Sequence, residues 1–101
     1  MILREWLETR TPAPPPRLLQ RIVEVLGPDA ESEANWRAMV DAGERLLREL
    51  TAGRTLGRES ALDLLTVDAL VTYALECAAA SPDTFVDATT RAMERLGSVV
   101  E

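Results

Sequence analysis

The sequence predicts an all-α fold. It reads as a compact bundle of four main helices, at about 16–26, 30–51, 58–80 and 82–97, plus a short N-terminal helix at about 2–9 joined by a proline-rich spacer. Three observations predict this. Apolar residues recur three and four apart over long segments, as on one face of a helix. Nowhere do apolar and polar residues alternate between turn signals, as in a strand. Gly27-Pro28 and Ser81-Pro82 separate the periodic segments. A length of 101 residues predicts one domain. Within it, 1–10 is a docking helix, 11–16 a spacer, 17–97 the bundle and 98–101 a frayed tail.

The first segment gathers Ile2, Leu3, Trp6 and Leu7 on one face. Two turns of helix are unstable alone in water, so the segment must dock. Trp6 then serves either as a clasp on its own domain or as an anchor for another chain. Thr11-Pro-Ala-Pro-Pro-Pro16 follows, and its prolines fix φ and remove amide donors. An extended polyproline II spacer is expected; the PxxP spacing of Pro12 and Pro15 is common by chance.

The second helix opens at Pro16, where a proline suits the first turn. Leu18, Leu19, Ile22, Val23 and Leu26 form its stripe, and Gly27-Pro28 stops it. The third is expected to start near Asp29 or Ser32, both acceptable caps. Its stripe is Trp36, Met39, Val40, Gly43, Leu46, Leu47 and Leu50. Asp41–Arg45, Glu44–Arg48 and Arg45–Glu49 are opposite charges four apart and mark a solvated face. Gly43 on the stripe suggests close approach of another helix. Thr51–Gly57 reads as a loop.

The fourth helix is apolar nearly all round. Glu59, Asp63 and Thr66 form a polar stripe in its first half, and Asp68, Thr72 and Glu76 form another, on the opposite side, in its second. Such a helix is buried on more than one side, so this one is expected at the centre, with Leu65 and Val71 almost fully buried. In the fifth, Ser81 caps, Pro82 takes the first position and Asp83 the positive first turn. Phe85, Val86, Thr89, Met93 and Leu96 are expected inward, with Gly97 as C-cap.

Composition narrows the function. The chain has no histidine and no lysine, one cysteine (Cys77), and 17 acids against 11 arginines, a net charge of −6. Histidine-based triads, lysine imines, phosphate loops with a lysine, and zinc sites are closed. An acidic balance disfavours a nucleic-acid partner. No stretch reads as a signal peptide or a membrane span, so a cytoplasmic protein without membrane or nucleic-acid partners is expected. Cys77, in an alanine-rich stretch, reads as an inert core thiol. Tyr73 and Trp36 read as packing residues.

Carboxylates and arginines remain. Glu59 and Asp63, four apart on one helix face, offer oxygen ligands of the kind Mg²⁺ takes. Arg54 and Arg58 flank Thr55-Leu56-Gly57 and suit either a bound anion or pairing with local acids. The expectation that follows is a small acidic helical protein-interaction module, non-catalytic and self-associating, without cofactor. Ile2, Leu3, Trp6 and Leu7 are its interface candidates and a homo-oligomer its expected form. The alternative is a Mg²⁺-dependent nucleotide-binding or hydrolysing protein using Glu59 and Asp63.

Overall fold

A computed structural model describes residues 1–53 and 58–100, and the side chains of all of these except 58 and 59. The chain forms five α-helices: α1 (Leu3–Glu8), α2 (Pro16–Leu26), α3 (Trp36–Gly53), α4 (Arg58–Ala78) and α5 (Pro82–Val100). A 3-10 turn, Gly27–Glu31, follows α2. Among the described residues there is no strand, only an isolated bridge between Ile2 and Glu33. The Cα radius of gyration is 13.1 Å, the value of about 13 Å expected for a compact domain of this length.

α3 lies along α4 over the largest interface, and α5 packs on both, chiefly on α3. α2 covers one side of the α3–α4 pair. The core consists of Leu3, Leu7, Ile22, Leu26, Trp36, Met39, Val40 and Leu70, with alanines from α3, α4 and α5. Gly43 faces α4, as its position on the stripe suggested. A Cβ there would meet Leu70 Cβ at 3.8 Å, an ordinary contact, so the approach leaves room for a methyl group.

Several boundaries differ from those expected. α2 stops at Gly27, whose φ of 59° is a backbone state that favours glycine. The chain then makes the 3-10 turn, so Asp29 and Ser32 do not start α3. Asn35 does: its Oδ1 accepts the Ala38 N–H at 3.0 Å, satisfying one of the free first-turn donors. α3 continues to Gly53, into the segment expected to be a loop; 54–57 lie outside the described residues. At the other end, Gly97 does not cap. α5 runs through it to Val100, so the expected frayed tail is helical as far as that residue. The start of α5 is as expected: Ser81 Oγ accepts the Thr84 N–H, and the two hydroxyls hydrogen-bond each other.

The spacer is bent at its start, although Pro15, with φ −55° and ψ 148°, is extended as expected. The chain bends at 10–12, the Thr11–Pro12 peptide is cis, and Pro14 is buried. This bend returns α1 to its own domain. Met1 and Leu3 exchange backbone hydrogen bonds with Ala34 and Ser32 (Ala34 N–H to Met1 O, 3.0 Å; Leu3 N–H to Ser32 O, 2.9 Å). Arg4 makes a two-pronged ion pair with Glu31 outside.

α4 contacts α2, α3 and α5, yet it is not buried all round. Thr66, expected on a polar stripe, is 0% exposed, and its hydroxyl is satisfied by the Leu62 carbonyl at 2.8 Å. Leu65, expected inside, is 59% exposed, and Val71 is only partly buried. Because Thr66 and Asp63 both find partners on the packed side, polar residues occupy it and leucines are left outside. α5 departs further. Phe85, Val86 and Met93 are exposed, whereas Ala88 and Ala92 are the buried pair.

Candidate docking face

The sequence-predicted interface residues lie in this chain's own fold. Leu3 and Leu7 are completely buried. Trp6 meets Tyr73 of α4 edge-on, with ring centroids 6.4 Å apart. The Arg10 guanidinium lies over the indole, 3.9 Å from the ring centroid, a cation–π contact. Ile2 is half-buried in the bridge to Glu33. In this conformation Trp6 is a clasp; Leu3 and Leu7 are inside, and Ile2 and Trp6 keep part of their surface exposed.

Asp63 is taken up inside the bundle. Arg21 of α2 donates to both of its oxygens, at 2.7 and 3.3 Å, and also reaches Glu24 at 3.2 Å. The hydrogen bond to Asp63 is the chief reason the Arg21 pKa is raised. A cation bound at Asp63 would have to displace this two-pronged pair. The side chain of Glu59, and Arg54 and the side chain of Arg58, lie outside the described residues, so the expected Glu59–Asp63 pair is not defined. Among the described residues no group of three or more Cys, Asp or Glu side chains is placed to hold a metal ion.

Other charges also prefer tertiary partners. Asp41 pairs with Arg91 of α5 at 3.0 Å, and Arg45 donates to the Val25 carbonyl at 3.2 Å, rather than to each other. Of the three i,i+4 pairs, Glu44–Arg48 forms, at 3.0 Å, and Glu44 also faces Arg95 at 3.6 Å. Cys77 is half-buried. Burial pushes its thiol pKa up, and Arg10 opposes the shift. This agrees with an unreactive thiol. Burial likewise raises the Tyr73 hydroxyl, with Glu76 adding to the shift and Arg10 opposing it.

The surface that stands out lies between α4 and α5. Leu64 and Val71 are seven residues apart, two turns of one stripe, and Leu75 continues it. On α5, Phe85, Thr89, Met93, Leu96 and Val100 recur at intervals of three and four. Val71, Leu75, Thr89, Ala92, Met93 and Leu96 line an open, almost wholly apolar groove of about 290 Å³. Val86 and Met93 on its outer flank are 62% and 72% exposed. On the opposite flank of α4 is a cleft of about 240 Å³ lined by Arg10, Thr11, Pro12, Asp68, Ala69, Thr72, Tyr73 and Glu76. The ridge of α4 that carries Asp68 and Thr72 separates the two.

Periodicity located the α5 stripe but assigned it to the core. The large apolar residues of α5 form one stripe, as expected, but alanines on the adjoining stripe take the inward position. The face contains no nucleophile–base pair and no set of convergent titratable groups. What it offers chemically is contact area. Comparison with protein-family models, with curated proteins and with solved structures finds no match for this chain. No helix among the described residues is long and apolar enough to cross a membrane.

Proposed function

We propose that this chain is a small acidic helical protein-interaction module, non-catalytic, that works by covering its α4–α5 face with another protein chain. One observation carries the reading: Leu64, Phe85, Val86, Met93 and Val100 are exposed on the two helices that flank one apolar groove, while alanines pack the inside. Scattered exposed apolar residues are normal, but a contiguous apolar patch of this kind marks an interaction site. Helix-in-groove docking is the binding mode that suits an apolar channel between two helices. A cytoplasmic site of action, where a lone thiol such as Cys77 stays reduced, is part of the proposal.

A second copy can meet the apolar requirement by presenting the same face about a two-fold axis. Light scattering at rising concentration tests for the homo-oligomer. A strict monomer removes the second copy as partner and leaves a foreign chain.

The face itself is tested with an uncharged amphipathic probe, a designed Leu/Gln helical peptide. Titrated into ¹⁵N-labelled protein, it is expected to shift amides of α4 and α5 and to leave α1 and α2 unmoved. Shifts spread evenly over the molecule, or none at millimolar peptide, would overturn the docking reading.

A further inference from the structure

We infer that the occupant of the α4–α5 groove is an amphipathic helix of a different protein that carries Lys or Arg beside its apolar stripe. The inference rests on the docking reading above and adds the chemistry of the partner.

The argument is the distribution of charge. Of the nine arginines whose side chains are described, all but the exposed Arg17 are engaged at home. Arg4 pairs with Glu31, Arg21 with Asp63 and Glu24, Arg48 and Arg95 with Glu44, and Arg91 with Asp41. Arg45 holds a carbonyl and Arg37 covers the Trp36 ring. Arg10 donates to the Trp6 carbonyl and the Thr9 hydroxyl, and stands 3.9 Å from Glu76.

Acids are left over among the described residues: Glu5, Glu8, Asp29 and Glu49 on α1, the 3-10 turn and α3, and Asp68, Asp83, Asp87 and Glu94 on the two helices that form the groove. Asp68 is exposed on α4, four residues after Leu64 and three before Val71, so it interrupts the apolar stripe itself. Asp83 and Glu94 lie beyond Val86 and Met93 on α5. Among the described residues none of these three has an ion pair. Glu76, half-exposed in the cleft next to Asp68, has only the long contact to Arg10.

A helix lying in the groove would set its apolar residues between Val71 and Met93. The side chains on its α4 flank would cross the Asp68–Thr72 ridge toward the cleft. A cation there meets Asp68 and Glu76. A second copy of this chain carries the same exposed acids and the same net charge of −6, and like charges across an interface disfavour a pairing. Charge therefore selects a foreign basic helix over self-association.

The test uses three designed helical peptides with one leucine stripe, flanked by Lys, Gln or Glu and matched in helicity. Binding is followed by fluorescence anisotropy. The Lys peptide is expected to bind about tenfold tighter than the Gln peptide at low salt, the size expected of two or three exposed ion pairs. The Glu peptide is expected to bind weakest. The Lys advantage shrinks as salt screens it. Asp68→Asn with Glu76→Gln removes most of the advantage without weakening the Gln peptide, which also shows that the variant is folded. Equal binding of Lys and Gln peptides overturns the charge inference but leaves the docking reading intact. Failure of all three peptides overturns both. Concentration-dependent dimerisation that excludes the Lys peptide would assign the face to a second copy and overturn the inference.

Discussion

In α1, α2 and α3 the buried stripe is made of large side chains, Leu3, Leu7, Ile22, Leu26, Met39 and Leu46. In α5 it is made of Ala88 and Ala92, and the bulky Phe85, Val86 and Met93 stand outside. Both regions are amphipathic, and both obey the same 3.6-residue period. They differ in which part of the apolar arc faces the core. In α2 the large residues of the arc are all in the core or packed against it. In α5 the helix turns its small residues toward the core, and Phe85, Val86 and Met93 are left outside.

The strongest way to break this comparison is to truncate one bulky residue from each region. Leu7→Ala removes a side chain that is fully buried, so it should cost about 2–5 kcal/mol through lost transfer energy and the cavity left behind. Met93→Ser, at a site 72% exposed, should change stability by no more than about 0.5 kcal/mol. Urea denaturation of both variants decides the matter. Comparable losses would mean that α5 uses its outer stripe for folding, and the docking face would disappear with that result.

A change in the opposite direction sharpens the same contrast. Ala88 is fully buried where α5 meets the rest of the bundle. Ala88→Leu is expected to destabilise by about 1–3 kcal/mol, the usual cost of overpacking. A leucine placed at an exposed position of α5, in Thr90→Leu, should leave the denaturation midpoint nearly unchanged. An Ala88→Leu protein as stable as the parent would show that the α5 contact is loose and that the helix can roll its large residues inward.

This contrast also explains what was legible beforehand. The α2 boundaries, the Ser81 cap and the all-helical class followed from proline placement and periodicity, which are local. α1, α2 and α3 faced as their stripes required. The inward face of α5 was not legible, because periodicity locates an apolar arc but does not rank its two edges. Leu65 was misplaced for a related reason. Thr66 satisfies its hydroxyl on its own helix and Asp63 is neutralised by Arg21, so the polar edge of α4 can be packed. Arg21 and Asp63 are 42 residues apart, and nothing in either helix alone announces the other. The late start of α3 was readable in principle: Asn35 directly precedes Trp36 and is a better placed cap than Ser32. The docking face had a partial signal, the run of large apolar residues on α5, but its exposure required knowing that alanines had taken the inside.

The smallest expected effect separates the regions by pH. At the α1 end, Arg4 holds the Glu31 carboxyl below its usual range by a hydrogen bond and by charge. A depressed carboxylate contributes stability above its unfolded value, about 4.3. That contribution is lost as pH falls through the lower folded value. On α4, burial raises Tyr73 and Cys77. For an acid held neutral, stability is present below the unfolded values, about 10 and 8.5, and fades as pH rises through the folded ones. Acid should therefore loosen the α1 clasp first, and alkali the α1–α4 contact from its α4 side. The Trp6 indole N–H resonance, between Tyr73 and Arg10, should shift at both extremes while the amides of Ala88 and Ala92 stay in place. In an Arg4→Gln variant the acid shift should shrink and the alkaline one remain. If the α5 amides move with Trp6 in acid, the clasp and the bundle open as one unit, and the two regions differ in packing but not in local stability.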